Sequence, residues 1–136
     1  MDTLTPEMRS WNMSRIRGKD TKPELAVRSL LHGMGYRFRL KSAVLPGKPD
    51  VILPRYKAVI FVHGCFWHRH KGCRYAYMPK SKVEFWQRKF DANVRRDQQV
   101  AEQLEKLEWN QLTLWECEIK NKETLKRKIK AFLRDR

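Results

Sequence analysis

Val59-Ile60-Phe61-Val62-His63-Gly64-Cys65-Phe66-Trp67-His68-Arg69-His70-Lys71-Gly72-Cys73 is the stretch around which the rest of the chain is arranged. A run as short, apolar and β-branched or aromatic as 59–62 reads as a strand buried on both faces. Gly64 ends it. Three of the four His and two of the three Cys then fall between positions 63 and 73, beside the rings of Phe66 and Trp67. Imidazole and thiol groups crowded in this way mark a loop that binds something.

Outward from that stretch, 136 residues suffice for one core and require no second domain. Thirty Lys and Arg against fifteen Asp and Glu give a net charge of +15. Such an excess favours a polyanionic partner and opposes self-association, so nucleic acid leads and a monomer is expected. A merely basic surface, as in a ribosomal-type protein, also fits the charge alone. Five Trp, six Phe and four Tyr strengthen the nucleic-acid reading. Their rings can stack on bases or wedge between them while cations hold phosphates. No apolar segment reaches the ~20 residues a membrane span needs, and the N-terminus lacks the apolar core of a signal peptide. The expectation is an intracellular protein with no membrane partner. An odd number of cysteines in such a chain argues for metal or reactive thiols over a disulfide framework.

Thr5-Pro6-Glu7 is a helix start, with a capping hydroxyl, a proline at the first helical position and an acid in the first turn. Met8, Trp11, Met13 and Ile16 lie among Arg9, Arg15 and Arg17, a basic and only loosely amphipathic pattern. It fits a helix docked on DNA and equally one whose Trp11 and Ile16 pack inward. Residues 1–19 are therefore read as a basic DNA-contacting arm, and 20–136 as the main domain. Thr21-Lys22-Pro23-Glu24 is a capping box opening a core helix with Val27, Leu30, Leu31 and Met34 on one face. Tyr36, Phe38 and Leu40 alternate with Arg37, Arg39 and Lys41, the period of a strand with one cationic wet face. A turn through Pro46-Gly47 delivers Asp50 to the start of a strand at 51–53, and 54–57 turns the chain into 59–62. Asp50 and the end of 59–62 thus lie on neighbouring strands.

Ser81-Lys82-Val83-Glu84 reads as a second capping box, starting the longest helix, which runs to about Trp109. Trp86, Lys89, Asn93 and Asp97 form one stripe at 3.6 residues per turn, a mixture poorly suited to a core. Leu104 and Leu107 supply core contacts further on. A last strand at 112–115 ends at Glu116-Cys117. Leu125, Ile129, Phe132 and Leu133 then define a lysine-rich closing helix.

Cys65, His70, Cys73 and Cys117 supply three thiolates and one imidazole, enough for a closed tetrahedral zinc site. Such a site is structural, and Cys117 would staple the loop to the sheet. Simply buried free cysteines are the competing reading, and His68 could replace His70. Asp50, His63, His68 and Asp97 are the titratable groups this topology gathers at one sheet end. Carboxylates suit Mg²⁺, and imidazoles suit proton transfer near neutral pH.

Leu-Pro-Gly-Lys-Pro-Asp ending at Asp50, the string from Val59 to His68, Glu-Phe-Trp ending at Trp86, Asn93-Val-Arg-Arg-Asp97 and Trp115-Glu-Cys117 resemble the very short patch repair DNA mismatch endonucleases. The resemblance is colinear over residues ~9–120, and the string His-Gly-Cys-Phe-Trp-His at 63–68 is its most specific part. It implies an α/β, restriction-endonuclease-like fold with a central mixed sheet flanked by helices. It also implies a Mg²⁺-dependent nick 5′ of the thymine in a T:G mismatch, in repair of deaminated 5-methylcytosine. Asp50 would bridge two Mg²⁺ ions and the Val62 carbonyl would complete one metal site. His68 would help activate water, supported by His63 and Asp97, with Glu24 as a further acid nearby. Phe66, Trp67 and Trp86 would wedge into DNA from the major groove and Met13 from the minor groove, while Lys89 and Asn93 would face bases. The implied setting is the bacterial cytoplasm on nucleoid DNA, with other repair proteins as candidate partners. A restriction endonuclease cutting intact duplex and a non-catalytic zinc-stapled DNA-binding protein are the competing readings.

Overall fold

The computed structural model describes residues 21–40, 42 and 44–134. The helix expected from Thr5, the arm at 1–19 and Met13 lie outside them. The described chain is α/β: α1 (Lys22–Gly33), β1 (Val51–Leu53), β2 (Ala58–His63), α2 (Val83–Lys106), β3 (Asn110–Trp115) and α3 (Lys122–Leu133). Short 3₁₀ turns occupy Pro54–Tyr56 and Glu116–Glu118. The sheet is small and mixed, in the order β1-β2-β3, with β1 antiparallel to β2 and β3 parallel to it.

The central strand is covered on both sides, as its unbroken apolar run requires. Ala58 and Ile60 join Val51, Leu53 and Leu114 on one face, where Val27 and Leu31 of α1 and Leu125, Ile129 and Leu133 of α3 pack. Val59 and Phe61 join Ile52 on the other face, under Leu104 of α2. Strand alternation then fixes the end of the sheet. His63 shares parity with Val59 and Phe61, and Asp50 shares parity with Ile52. Both therefore belong to the face covered by α2.

Local sequence explains the elements and also the departures from expectation. Thr21 Oγ1 accepts from the Glu24 amide at 3.4 Å, capping α1 as its sequence indicates. Asn121 Oδ1 accepts from the Thr124 amide at 3.1 Å and caps α3. The strand expected at 36–41 is reduced to one antiparallel bridge between Arg39 and Ile52, with two 2.8 Å bonds. The three-residue β1 offers its outer edge at only one position. Tyr36 and Phe38 still pack against the core while Arg37 and Arg39 stay exposed, so the alternation survives over 36–39 without the ladder, but Leu40, expected on the inner face, is exposed.

The Ser81 capping box does not form. Lys82 occupies the N-cap in the left-handed region, φ 55°, with no side-chain cap, and α2 starts at Val83. α2 also ends early, at Lys106, where Glu108 (φ 61°) turns the chain towards β3. Leu107, expected in the core, is 48% exposed, and Trp109 packs against the cluster around Leu104 in its place. Gly47 is obligatory. At φ +77° a Cβ there would stand 2.3 Å from Val100 Cγ1 of α2, so the turn before Asp50 is pressed onto the helix that carries Asp97.

Candidate active site and metal centre

A cleft of about 1490 Å³ opens at the end of the sheet between β2, the loop after it, α2 and the start of α1. The Val62 amide donates to Asp50 Oδ2 at 2.6 Å, so the antiparallel β1–β2 pairing continues through the Asp50 side chain into the site. Burial pushes the Asp50 carboxyl up to about 6. The Val62 N–H opposes that shift, the nearby charge of Glu24 adds to it, and His68 and Arg28 lower it. Asp50 and Glu24 both line the cleft, Glu24 paired with Arg28 at 3.2 Å, and a half-buried carboxylate such as Asp50 is a place where a cation is stabilising. The residues present therefore fit a divalent ion.

His68 Nδ1 lies 2.7 Å from Asp97 Oδ2, which reaches it from the second half of the α2 stripe. The His63 ring stacks on that of His68, with centroids 3.8 Å apart and planes 7° apart. Burial depresses the His63 pKa to about 4, helped by His68 and opposed by Asp97, so the ring is neutral at physiological pH. The ligand-type atoms of His63, His68 and Asp97 lie within 4.8 Å of one another and form a second group able to hold an ion. Asp50 is outside that group but lines the same cleft. A carboxylate–imidazole pair beside a cation-seeking acid can polarise water and move protons.

Behind this wall the second constellation closes. Cys65, His70, Cys73 and Cys117 present ligand atoms within 4.8 Å of one another. His70 Nδ1 lies 3.6 Å from Cys65 Sγ and 3.4 Å from Cys117 Sγ. Zinc–sulfur and zinc–nitrogen bonds of ~2.3 and ~2.0 Å at a tetrahedral angle would separate such atoms by roughly 3.5 Å, so the set fits a tetrahedral ion. Burial raises the Cys65 thiol to about 12 and raises Cys117 as well, whereas backbone N–H groups, led by that of Tyr75, lower Cys73. The Cys65 and Cys117 thiols, which burial keeps protonated, would be stabilised as thiolates by a cation between them. Trp115 stacks on the His70 ring at 4.2 Å and Gly72, φ +75°, closes the turn before Cys73. His68, the alternative fourth ligand, is instead paired with Asp97.

Between the two centres lies an aromatic patch. Phe66 meets Trp67, Tyr77, Trp86 and Phe90 at centroid distances of 5.1–5.6 Å. Trp67 meets Trp86 at 5.7 Å. Phe66 and Trp67 are half-buried and line the cleft, whereas Trp86 is only 9% exposed. The expectation that the Trp86 stripe lacks a packing reason is thus corrected: Phe85, Phe90 and the two loop rings surround Trp86. Lys89 and Asn93 reach the cleft, and Asn93 Nδ2 donates to the Trp67 carbonyl at 3.2 Å, which fixes the loop on α2.

The sequence model of the family described as DNA mismatch endonuclease Vsr matches residues 1–74, more than half of the chain. The chain belongs to this family. It is similar to the type II nicking enzyme V.XorIIP of Xanthomonas oryzae, 46% identical over 97% of this chain and 96% of that protein. It is also similar to the DNA mismatch endonuclease Vsr of Escherichia coli, 44% identical over 86% of this chain and 74% of that one. The type II nicking enzyme V.NmeAIP of Neisseria meningitidis is 40% identical over 98% and 95%. The protein is accordingly a DNA endonuclease, and DNA is its substrate. Among the described residues no helix is long and apolar enough to cross a membrane.

Sequence reasoning missed several groups lining the same cleft. Arg96 lies seven residues, about two turns, after Lys89 on the same helix flank and was legible there. Tyr75 and Tyr77, 39% and 60% exposed, follow Cys73 in a loop with no periodicity to announce them.

Proposed function

We propose that this endonuclease nicks one strand of duplex DNA on the 5′ side of the thymine in a T:G mismatch, using Mg²⁺ in the cleft and Zn²⁺ in the Cys/His centre. The observation that carries the reading is that one cleft holds both the Asp50 and His68–Asp97 groups and the half-buried rings of Phe66 and Trp67. Rings set beside hydrolytic groups let distortion of the duplex select the substrate. Unstacking costs a few kcal/mol per step and least at a weakened pair. The resemblance of the catalytic acid and mixed sheet to restriction-endonuclease-like enzymes supports the same fold here.

In this mechanism Asp50 and the Val62 carbonyl would hold the ions, with Glu24, paired with Arg28, as a further acid nearby. Mg²⁺ supplies Lewis acidity towards water and the phosphate. With Nδ1 bonded to Asp97, the remaining nitrogen of a neutral His68 ring is free to accept a proton from water. The stacked and neutral His63 keeps that ring in plane. Phe66 and Trp67 enter the stack, and Trp86 backs them from α2. Lys89 and Asn93 extend towards the bases, and residues 1–19 with Met13 act as an arm on the opposite groove. The enzyme works as a monomer in the bacterial cytoplasm, on nucleoid DNA.

Family membership sets the non-catalytic alternative aside. Nicking of intact duplex at a specific sequence is a second reading, favoured by the names of the Xanthomonas and Neisseria relatives. Labelled T:G-mismatched and fully paired duplexes incubated with Mg²⁺ decide between them. A nick confined to the mismatched strand is expected. Equal nicking of the paired duplex would transfer the protein to the second reading.

A further inference from the structure

Arg69 is absorbed by neither the metal centre nor the hydrolytic groups, yet it is among the most heavily engaged side chains of the loop. Its Nη1 donates to the carbonyls of Phe66 and Tyr77, each at 3.1 Å, and its Nη2 donates to that of Ala76 at 2.8 Å. The guanidinium carbon lies 3.9 Å from the centre of the Phe90 ring on α2 and 5.7 Å from that of Phe66. Among the described residues no carboxylate pairs with it. Its own backbone sits in the left-handed region, φ 54°, a conformation that a non-glycine residue keeps only when its surroundings impose it.

We propose that Arg69 is a positioning residue, a clamp that fixes the Phe66–Trp67 rings on α2 and thereby sets how strongly the enzyme discriminates a distorted base pair from a sound one. The clamp joins three things. It ties the stretch between the first two Cys/His ligands, at the Phe66 carbonyl, to the chain after Cys73, at Ala76 and Tyr77. It lays this tie flat on Phe90, the side chain on which Phe66 also rests. The planar guanidinium can serve three carbonyls and a ring face together, which an ammonium cannot. Trp67 and His68 lie between the anchored Phe66 carbonyl and Arg69 itself, so their backbone is held from both ends. Asn93 holds the Trp67 carbonyl from α2 independently. Loss of the clamp therefore loosens the rings without releasing the loop.

The inference rests on the wedge reading of Phe66 and Trp67, and its test separates the two. R69K and R69A are compared with the parent for metal content, melting temperature, near-ultraviolet circular dichroism of the free protein, and affinity for T:G-mismatched against fully paired duplex without Mg²⁺. Expected are retained metal, a changed near-ultraviolet spectrum, and a mismatch-to-match affinity ratio lowered about tenfold in R69A, tenfold being about 1.4 kcal/mol. R69K should recover part of the ratio through its retained cation–ring contact. Should R69A fail to fold, R69K alone carries the comparison. An unchanged spectrum and ratio in a folded variant would overturn the proposal. So would a ratio that tracks melting temperature alone, since Arg69 would then merely stabilise the fold. A changed spectrum with an unchanged ratio would leave Arg69 as the clamp of the rings, remove its role in discrimination and refute the wedge.

Discussion

Asp50→Asn should make the magnesium-free protein more stable while abolishing its nicking activity. Asparagine keeps the shape of the side chain and an oxygen for the Val62 N–H, which lies 2.6 Å from Asp50 Oδ2. What it removes is a negative charge whose burial, beside Glu24, raises the carboxyl from 3.8 to about 6. Below the lower value both folded and unfolded chains carry the proton, and the charge contributes nothing. As the pH rises through the interval the unfolded chain ionises first and stability is lost, until above about 6 the whole cost is present. A shift of this size at ~1.4 kcal/mol per unit sets a ceiling of about 3 kcal/mol, and screening at a half-buried site brings the expectation to ~1–3 kcal/mol. For a chain of this length that is a rise in melting temperature of roughly 3–10 °C. Thermal melts of both proteins at pH 4, 5, 6 and 8, without Mg²⁺ and without a strong chelator, provide the assay. The gap should be small at pH 4 and full at pH 8, and Mg²⁺ should stabilise only the parent. A variant no more stable at pH 8, or a gap independent of pH, would refute the reasoning.

Three other outcomes are expected. Elemental analysis should find one zinc per chain, and Cys117→Ser should lose it together with much of the melting transition, because a closed structural site contributes directly to folding. Gly47→Ala should cost on the order of 1–3 kcal/mol in denaturant titrations, from its positive φ and the clash with Val100, and should also lower activity by shifting the turn that carries Asp50. Trp86→Ala should lower the melting temperature markedly, by ~3–5 kcal/mol in stability, because that ring is nearly buried. Trp67→Ala removes a half-buried ring that only partly covers Trp86, so it should lower the melting temperature less while weakening mismatch binding by ~1–3 kcal/mol, and similar melting temperatures for both variants would contradict the division of roles.

How much was legible in the sequence depended on whether a residue's neighbours lie close along the chain. The central strand declared itself because burial on both faces demands an unbroken apolar run. The Cys/His cluster could be expected from the sequence because thiols and an imidazole crowd one loop, and the structure brings Cys65, His70, Cys73 and Cys117 together. Asp50 and Asp97 could be assigned to one sheet end from strand order and helical stripe alone, and both line the same cleft. The Ser81 cap failed because cap chemistry requires an extended residue, and the chain enters α2 through a left-handed Lys82. The strand at 36–41 failed because its partner β1 is only three residues long. Trp86 was misjudged because the rings that bury it come partly from the loop at 66–67, at a separation no helical period reveals. Arg69 was invisible for the same reason: its value lies in carbonyls seven and eight residues downstream and a ring on another helix.

One cause runs through both constellations and ties them to the fold. Burial raises Asp50 to about 6 and Cys65 to about 12, so the charged form carries a desolvation cost at both positions, and at Cys65 that cost keeps the thiol protonated at neutral pH. A divalent cation opposes each cost, since the attraction between ion and ligand offsets the desolvation of both. The two consequences differ because the surroundings differ. The thiols and His70 close on one point, with Trp115 stacked on the imidazole, so an ion there completes the connection between the loop and the end of β3. Asp50 faces a wide cleft, so an ion there would have positions left for water and phosphate. His68 stands five residues after the end of β2 and two before His70, with Asp97 holding its ring. An ion in the closed centre would therefore fix the loop from which the His68 imidazole reaches the cleft.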